Sequence, residues 1–397
     1  MKNVRAALAT VVALGTISPL TAQEITFHGQ VRPRTEFRDP AAEGAQSFTS
    51  MRVRVTMSAL LEDDVSVFIQ LQDVRIFGEE TNTLSDFNAD NLDLHQGYID
   101  MGLFQSAPTA ARIGRQEVNF GGQRLVGAVA WAQQARSFDG ARLRLNREWG
   151  SVDFIGFKTA DNLAAEVGTD AEFLGVYATV SSMESGALDL YGFYQRVREQ
   201  ADVDQVTLGA RFAGSGSRIN YRAEASLQLG ERGDDDVTAF MLGGRVGFGL
   251  GPANKGRITL WYDYLSGDDT PGDGNSKVFD TMFATNHKFY GFADLFLNIP
   301  AHTAGQGLQD FAVKGSLQAR DDVTLGLDLH SFRLANPVGT TTAHLGEEID
   351  FTITHRYSKN LGITGGLSVV IQGDGLADIG RLTENMTWGY LMLTATF

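Results

Sequence analysis

Arginines occur at alternate positions in several segments of the sequence. The pairs are Arg32 with Arg34, Arg52 with Arg54, and Arg142 with Arg144. Successive side chains of a β-strand point to opposite faces, so in an extended chain both members of a pair project from the same face. A guanidinium can hold a carboxylate through two parallel hydrogen bonds. Such pairs therefore indicate a surface that binds carboxylated solutes.

The same alternation assigns further charged residues to this face. The basic ones are Arg211, Arg222, Arg245, Arg257 and Lys314, and the acidic ones are Glu36, Asp189, Glu224, Asp263, Asp328, Glu348 and Asp350. Basic side chains are in excess here, although the whole chain has a formal net charge of -15. The excess predicts either selection of anions or a wall stiffened by paired charges. The first is favoured because Glu36 alone cannot neutralise the first two arginine pairs.

Period-two alternation of apolar and polar residues predicts the elements that carry these side chains. Eighteen strands are expected, near residues 25–37, 48–60, 65–75, 91–101, 111–119, 138–146, 150–159, 171–180, 187–197, 203–213, 217–229, 237–248, 256–266, 308–318, 323–333, 345–356, 361–371 and 386–397. Their connections alternate between short and long, and the longest covers residues 267–307. This pattern is typical of a membrane barrel with short turns at one end and longer loops at the other.

One face of the predicted strands is consistently apolar, and the other carries charge. Eighteen strands enclose a lumen too wide for side chains to fill, so the apolar face must contact lipid and the charged face must line water. After the N-terminus, no apolar run in the sequence reaches the roughly 20 residues that a membrane helix needs. The expected fold is all-β, a transmembrane antiparallel β-barrel of about eighteen strands with a polar lumen.

Two predicted strands do not give a consistent orientation. In the fourth, the alternation places Gln96 on the charged face and leaves His95 toward lipid. In the fifth, Arg112 and Arg115 fall on opposite faces. The sequence leaves the orientation of both strands open.

The N-terminal segment has the pattern of a secretory leader. Two basic residues precede a short apolar stretch, and Ala22 offers a cleavage site. The leader is expected to span residues 1–22, because the apolar stretch is too short for the alternative of a membrane anchor. Residues 23–397 then form a single barrel domain with a long loop at residues 267–307.

No constellation of residues predicts catalysis, a metal or a cofactor. The sequence has no cysteine, and its seven histidines lack metal-binding spacing. Residues 214–217 lack the Gly-x-Ser-x-Gly frame of a nucleophile elbow. The acidic segment 267–275 suggests calcium, but it lacks the distal glutamate of an EF-hand loop, and a solvated loop is the alternative. The negative net charge also disfavours nucleic acid as a partner.

The end of the sequence is an amphipathic strand that stops at Phe397. Leu391, Leu393 and Ala395 share one face with this aromatic residue. The arrangement resembles the last strand of bacterial outer-membrane barrels, whose assembly machinery reads a terminal aromatic. We expect Phe397 to act as an assembly signal; the alternative is an ordinary amphipathic strand of a soluble β protein.

Several segments resemble the bacterial alginate-export family. They are RIGRQE at 112–117, GQRLVG at 122–127, RSFDGARL at 136–143 with Trp131 before it, FATNHKFYGFADLF at 283–296 and GEEID at 346–350. Their order and spacing agree, and with the strand count the resemblance covers most of the chain after the leader. It implies an eighteen-stranded outer-membrane barrel that exports alginate, an anionic uronate polymer, through an Arg-rich lumen.

The residues and the resemblance together predict a non-enzymatic channel that passes anionic solutes across a Gram-negative outer membrane. The expected partners are membrane lipid, the barrel-assembly machinery, and an anionic saccharide or other small anion. Both termini should face the periplasm. The alternative is a structural or enzymatic barrel plugged by residues 267–307. Glu348 and Asp350 would also oppose a polyanion unless they are paired.

Overall fold

The molecule consists of long β-strands with a few short helical turns. The computed structural model describes residues 24–40, 44–61, 64–79, 92–104, 108–161, 170–198 and 202–397, so the predicted leader, residues 1–22, lies outside the described residues. The strands are β1 (Glu24–Asp39), β2 (Gln46–Leu60), β3 (Val65–Ile76), β4 (Leu92–Phe104), β5 (Thr109–Gln116), β6 (Phe138–Arg147), β7 (Gly150–Ala160), β8 (Asp170–Met183), β9 (Gly186–Arg198), β10 (Val203–Ser215), β11 (Ile219–Arg232), β12 (Asp235–Leu250), β13 (Gly256–Leu265), β14 (Asn275–Ser276), β15 (Leu308–Arg320), β16 (Val323–Arg333), β17 (His344–Arg356), β18 (Leu361–Gln372) and β19 (Met386–Thr396). The helices are two 3-10 turns, Pro252–Asn254 and Asn286–Lys288, with α1 (Ile299–His302) and α2 (Asp374–Asp378).

The strands pair in sequence order and close into a barrel. Within the described ranges, eighteen long strands run antiparallel to their neighbours, and β13 pairs directly with β15. The circle is completed because β1 pairs with both β2 and β19. A closed sheet has no edge of unpaired backbone groups, as a bilayer requires. The predicted antiparallel barrel of about eighteen strands is confirmed.

The two ends of the barrel differ in the length of their connections. At the end where β1 begins, turns are short, such as residues 148–149, 184–185 and 321–322. At the other end, residues 117–137 and 266–307 form long connections. The link between β11 and β12 is an exception at this end, because these strands extend further than predicted and leave only residues 233–234 between them.

The outer face of the barrel is apolar. In β12, Phe240, Leu242, Phe248 and Leu250 are each at least 41% exposed, whereas the alternating residue Met241 is fully buried. Large apolar side chains exposed in such a continuous belt contact lipid in a membrane barrel. No helix in the described ranges is long and apolar enough to cross a bilayer.

Two long connections fill the interior, and we name them the first inward loop (residues 117–137) and the second inward loop (residues 266–307). Backbone carbonyls of the first accept hydrogen bonds from β1 and β2, and Phe120 stacks on Tyr177 of β8 at 4.5 Å between ring centroids. Backbone amides of the second donate to β17. Contacts with strands all around the wall place both loops inside the barrel.

The inward loops also bind each other and form one body. Val126 and Phe283 make a parallel β-bridge, and Thr285 N donates to Gln123 O. The Trp131 indole stacks on the His287 ring at 4.2 Å between centroids. Apolar side chains of both loops pack with inner wall residues in one core; they include Val118, Leu125, Phe279, Phe289, Phe296 and Ile299. The interior is therefore a packed plug rather than an empty channel.

A register shift in β4 settles an orientation that the sequence left open. Pairing with β3 is irregular between Gln70 and Leu71, so that His95 and Gln96 both turn inward. His95 is 3% exposed and lies 2.7 Å from Glu117 through its Nε2 atom. The alternation that left His95 toward lipid was wrong here, because a bulge interrupts the period of two.

The seam between β1 and β19 is closed by backbone pairing and by aromatic contacts. Gly29 and Phe397 exchange two backbone hydrogen bonds, and a Cβ on Gly29 would overlap the Phe397 ring. Farther along, Trp388 Nε1 donates to Glu36 Oε2 at 3.3 Å across the seam. Gly29 thus leaves the space that the Phe397 ring occupies on the outer face.

Candidate functional site

The first cluster of arginines lies on the inner face of the neighbouring strands β1 and β2. Arg32 and Arg52 face each other directly in the register of the two strands. Like charges in such positions repel unless other groups compensate them. The compensation comes from the first inward loop.

Three guanidiniums of this cluster hold the backbone of residues 130–133. Arg32 donates to the carbonyls of Ala130, Trp131 and Ala132 at 2.8–3.1 Å. Arg34 donates to Trp131 O at 2.8 Å, and Arg52 donates to the carbonyls of Ala132 and Gln133 at 3.3 and 3.2 Å. Arg34 also lies over the Trp131 ring at 4.2 Å. We call this arrangement the arginine clamp.

Two carboxylates accompany the clamp. Arg34 pairs with Glu36 at 2.8 Å, and Arg54 pairs with Glu117 at 3.2 Å. Arg32, Arg34 and Arg52 are each no more than 7% exposed. These basic residues lie side by side, but their N–H groups hold a loop. The sequence predicted instead that these arginines border the open lumen. The contacts with the loop could not be predicted, because every residue type supplies a backbone carbonyl and such contacts leave no periodic pattern in the sequence.

A second anchor joins the first inward loop to the opposite wall. Arg124 is 1% exposed and donates to Asp263 Oδ2 at 2.6 Å and to Tyr290 Oη at 2.9 Å. Its Nε lies 3.5 Å from Glu224 Oε2. Asp263, from β13, is fully buried, and Glu224 is 7% exposed. Both acidic residues predicted on the inner face therefore form a socket for one arginine of the plug.

Carboxylates on β17 hold the second inward loop. Asp350 Oδ2 accepts from Phe292 N at 3.3 Å, and Glu348 Oε1 accepts from Ala293 N at 2.7 Å. Glu348 and Asp350 are 0% and 1% exposed. The expectation that they line the pore is not met, because residues 291–293 lie over them. They hold loop amides instead of bordering the lumen.

Other predicted inner residues form ion pairs within the wall, and the basic members of these pairs stay partly exposed. Arg142 and Arg144 share Asp153 of β7, at 2.7 and 3.2 Å. Two further pairs of predicted inner residues are Arg211 with Asp189 at 2.6 Å and Lys314 with Asp328 at 3.0 Å. One carboxylate thus serves two arginines on β6, which leaves that strand with a positive excess.

A group of basic residues on β11 to β13 has no carboxylate partner. Among the described residues, Arg222, Arg245, Arg257 and, in the second inward loop, Lys288 form no ion pair, and we call these four the basic wall. Arg222 and Arg245 lie 4.5 and 5.2 Å from the centroid of the Trp261 ring. Nε and Nη2 of Arg222 are buried without a hydrogen-bond partner in the described part of the chain. The face of Trp261 offsets part of the charge of Arg222 and Arg245, and Asp263 acts on both from a distance without a direct ion pair.

Lys288 brings a further cation from the second inward loop to the basic wall. Its Nζ donates to Gly122 O at 3.3 Å, which ties the two loops together beside Arg222. Partial burial lowers the pKa of Lys288, and the positive charges of Arg245, Arg222 and Arg211 lower it further. The lowered pKa reflects a local positive potential at this point of the interior.

The sequence did not single out several residues that build the interior. They are Arg124, Arg136, Trp131, Glu117, His287, Lys288 and Tyr290. Most lie in long connections without strand periodicity, so alternation gave no signal for them. The sequence marked these residues only through their location, because nearly all of them fall within the segments that carry the family resemblance. In the described ranges, no cluster of three or more potential ligands could hold a metal ion.

Solved structures with the same architecture are outer-membrane barrels. OpdO of Pseudomonas aeruginosa superposes with a TM-score of 0.66 at 12% identity, covering 95% of this chain and 98% of that chain. The outer membrane protein OprD of the same organism gives 0.61 at 10% identity, with 94% of each chain covered. The outer membrane protein opdK gives 0.61 at 8% identity, with 94% and 98% covered. At such identities the likeness shows the fold alone, a closed antiparallel β-barrel of the kind found in these outer membrane proteins.

A family model described as Alginate export matches residues 23–389, and the chain belongs to that family. None of the curated proteins compared with the chain matches it. The resemblance predicted from the sequence segments is confirmed.

Proposed function

We propose that the protein is a passive outer-membrane channel for anionic solutes, among them uronate saccharides such as alginate. The observation that carries the proposal is the basic wall, where Arg222, Arg245, Arg257 and Lys288 have no ion pair within the described residues. Rings or walls of basic side chains in a narrow passage favour anions. Membership of the alginate export family supports an anionic polymer as one solute.

The proposed path follows the part of the interior that the inward loops do not use for anchoring. The arginine clamp, Arg124 and the β17 carboxylates bind loop groups, so they are removed from the lumenal surface. Arg144, Arg257 and Lys288 remain exposed, and they lie on strands or loops between β6 and β15. Covering Glu348 and Asp350 also removes the two acids that would have repelled a polyanion.

Conductance in planar bilayers tests the proposal. Under a KCl gradient, we expect single-channel steps and a reversal potential displaced toward that of chloride, because the field of unpaired cations concentrates anions. Oligouronates added to one side should block the current at lower concentration than neutral oligosaccharides of equal length. A cation-selective channel, or equal block by both sugars, would contradict the proposal.

A sealed, structural barrel is the second candidate function. It is favoured by the packing of two inward loops into one body with its own apolar core. Bilayers with inserted protein but without conductance steps would establish this alternative. An enzymatic barrel has less support, because the most suggestive pair, His330 with Asp310, is almost completely buried. No substrate could reach it without unfolding the wall.

The proposal also covers the orientation of the barrel in the membrane and its assembly. The end with short turns, where β1 begins and β19 ends, is assigned to the periplasm, as in other membrane barrels. Membrane lipid surrounds the apolar belt, and the barrel-assembly machinery is the partner that recognises Phe397. The single barrel domain then extends from residue 23 to residue 397, after removal of residues 1–22.

Two substitutions at the seam separate recognition of Phe397 from its packing. Phe397→Asp removes the aromatic ring, and we expect it to abolish insertion into the outer membrane. Gly29→Val displaces the ring but leaves it available for recognition, so we expect insertion with reduced thermal stability. Heat-modifiable migration in isolated outer membranes measures both. Gly365→Val is the control, because its Cβ would make only ordinary contacts.

Equal loss of insertion in Phe397→Asp and Gly29→Val would assign Phe397 a packing role at the seam. Normal insertion of Phe397→Asp would show that Phe397 is needed neither as an assembly signal nor for packing at the seam.

A further inference from the structure

An apolar groove crosses the outer face of the barrel between β11 and β16. Its volume is about 890 Å³, and it is lined there by Ala223, Gly244, Val246, Leu260 and Val313. The groove exists because Gly244 has no side chain, whereas bulkier residues stand on either side. The Phe212–Tyr221 and Tyr262–Phe311 ring pairs, with centroids 5.7 and 4.4 Å apart, form its two flanks.

A second hollow continues the groove toward the end with short turns. It has a volume of about 560 Å³, and its outer lining includes Ile258, Gly315 and Leu327. These residues lie two positions along the same strands from Leu260, Val313 and Leu329, which line the first hollow. Because alternate residues of a strand share a face, the two hollows are neighbours on the lipid-facing wall.

A cation stands at the open end of the second hollow. Lys255 belongs to its lining and follows the 3-10 turn Pro252–Asn254. In the described part of the chain its ion-pair partner is Asp321, at 3.5 Å, and the side chains are 50% and 91% exposed. An exposed pair at this distance contributes little, so the ammonium group remains available to an anion.

We propose that this groove binds one phospholipid of the adjacent leaflet, with its phosphate at Lys255 and an acyl chain over Gly315 and Gly244. The charge at the rim and the apolar lining above it match the two parts of such a lipid. The floor without side chains lets an acyl chain contact the wall on three sides, which adds dispersion contacts that a flat wall lacks. The site lies on the outer face and does not depend on conduction through the barrel.

A second copy of the chain is the competing occupant. It would have to insert a ridge of side chains along the groove and place a carboxylate beside Lys255. A phospholipid satisfies both ends of the groove without any such coincidence, and it is present around every membrane barrel. The exposed Lys255 at the rim and the apolar lining above it therefore favour the lipid.

Native mass spectrometry of the detergent-solubilised protein, titrated with dioleoyl phosphatidylglycerol, tests the proposal. The wild type should retain one lipid more than Gly244→Leu, in which the leucine side chain occupies the floor of the groove where the acyl chain would lie. A Cβ at Gly244 would meet its nearest atom, Arg222 O, at 3.8 Å, so the barrel can accept the side chain. Lys255→Gln should weaken binding about fivefold, the effect of one basic residue near a membrane surface.

Gly365→Leu is the matched control, because it adds the same side chain to the outer face of β18 outside the groove. Its Cβ would lie 3.5 Å from Ile353 Cγ2, an ordinary contact. Heat-modifiable migration confirms folding of each variant. Equal lipid retention by Gly244→Leu and Gly365→Leu would overturn the proposal. An oligomeric wild type that Gly244→Leu converts to monomers would also overturn it and identify the groove as a subunit interface. Unchanged affinity in Lys255→Gln would refute the phosphate contact.

Discussion

Arg124→Met should increase single-channel conductance more than any other single substitution in the inward loops. The change leaves Asp263 and Glu224 buried without their cation, and breaking a buried pair in this way costs about 3–5 kcal/mol. The side chain of Arg124 is completely buried, so water cannot replace the lost partner. The loop is then expected to leave its socket and widen the passage. Conductance in planar bilayers measures the effect.

Arg112→Met is the control for this experiment, because Arg112 of β5 holds Asp100 of β4 through two hydrogen bonds of 2.7 and 2.8 Å and therefore bonds to the wall and not to the plug. A rescue variant combines Arg124→Met with Asp263→Asn and Glu224→Gln, which removes the buried charges together. We expect its conductance to return toward the wild-type value. If Arg124→Met conducts like Arg112→Met, Arg124 does not anchor the plug.

Charge removal at the basic wall should change selectivity, whereas charge removal at the arginine clamp and at the adjacent Arg54 should mainly loosen the plug. Arg245→Gln with Arg257→Gln removes two cations without carboxylate partners, so the reversal potential should move toward that of a non-selective pore. Arg52→Gln with Arg54→Gln removes two cations that hold loop and wall groups. We expect that variant to show noisier current with a smaller shift in reversal potential.

Salt provides an internal check of the same prediction. The Debye length falls from about 10 Å at 0.1 M to about 3 Å at 1 M, so the wild-type preference should weaken as salt rises. The Arg245→Gln, Arg257→Gln variant should show less of this dependence. A larger loss of anion preference in the Arg52→Gln, Arg54→Gln variant would place the filter at the clamp instead.

The sequence predicted the wall of this protein and not its interior. Strands such as β11 and β12 alternate regularly because one face meets lipid and the other meets polar groups, so a period of two identifies them. The same rule failed at His95, where a bulge turns two successive side chains inward. It also gave the face of Glu348 and Asp350 without revealing that a loop covers them.

The plug could not be predicted by these means. Its anchors join residues far apart in the sequence, such as Arg32 with Ala130 and Arg124 with Asp263. Several of them bind backbone atoms, which every residue type supplies. Burial of Arg124 follows only from the combined positions of β11, β13 and the second inward loop. Local patterns cannot encode such an arrangement, whereas the family resemblance marked the segments without explaining their role.

The arginine clamp has a consequence for the order of events during folding. The first inward loop docks on Arg32 and Arg34 of β1, while its Trp131 ring meets Trp388 and Tyr390 of β19 edge-on at 5.9 and 4.8 Å between centroids. These two strands lie at opposite ends of the chain and come together only when the circle is joined. The part of the docking surface on β1 and β2 forms with the first hairpin, whereas the aromatic part on β19 is added only at closure. We therefore expect the first inward loop to reach its final position only after the circle is joined, so that a newly closed barrel has a wider interior until Trp131 packs against β19.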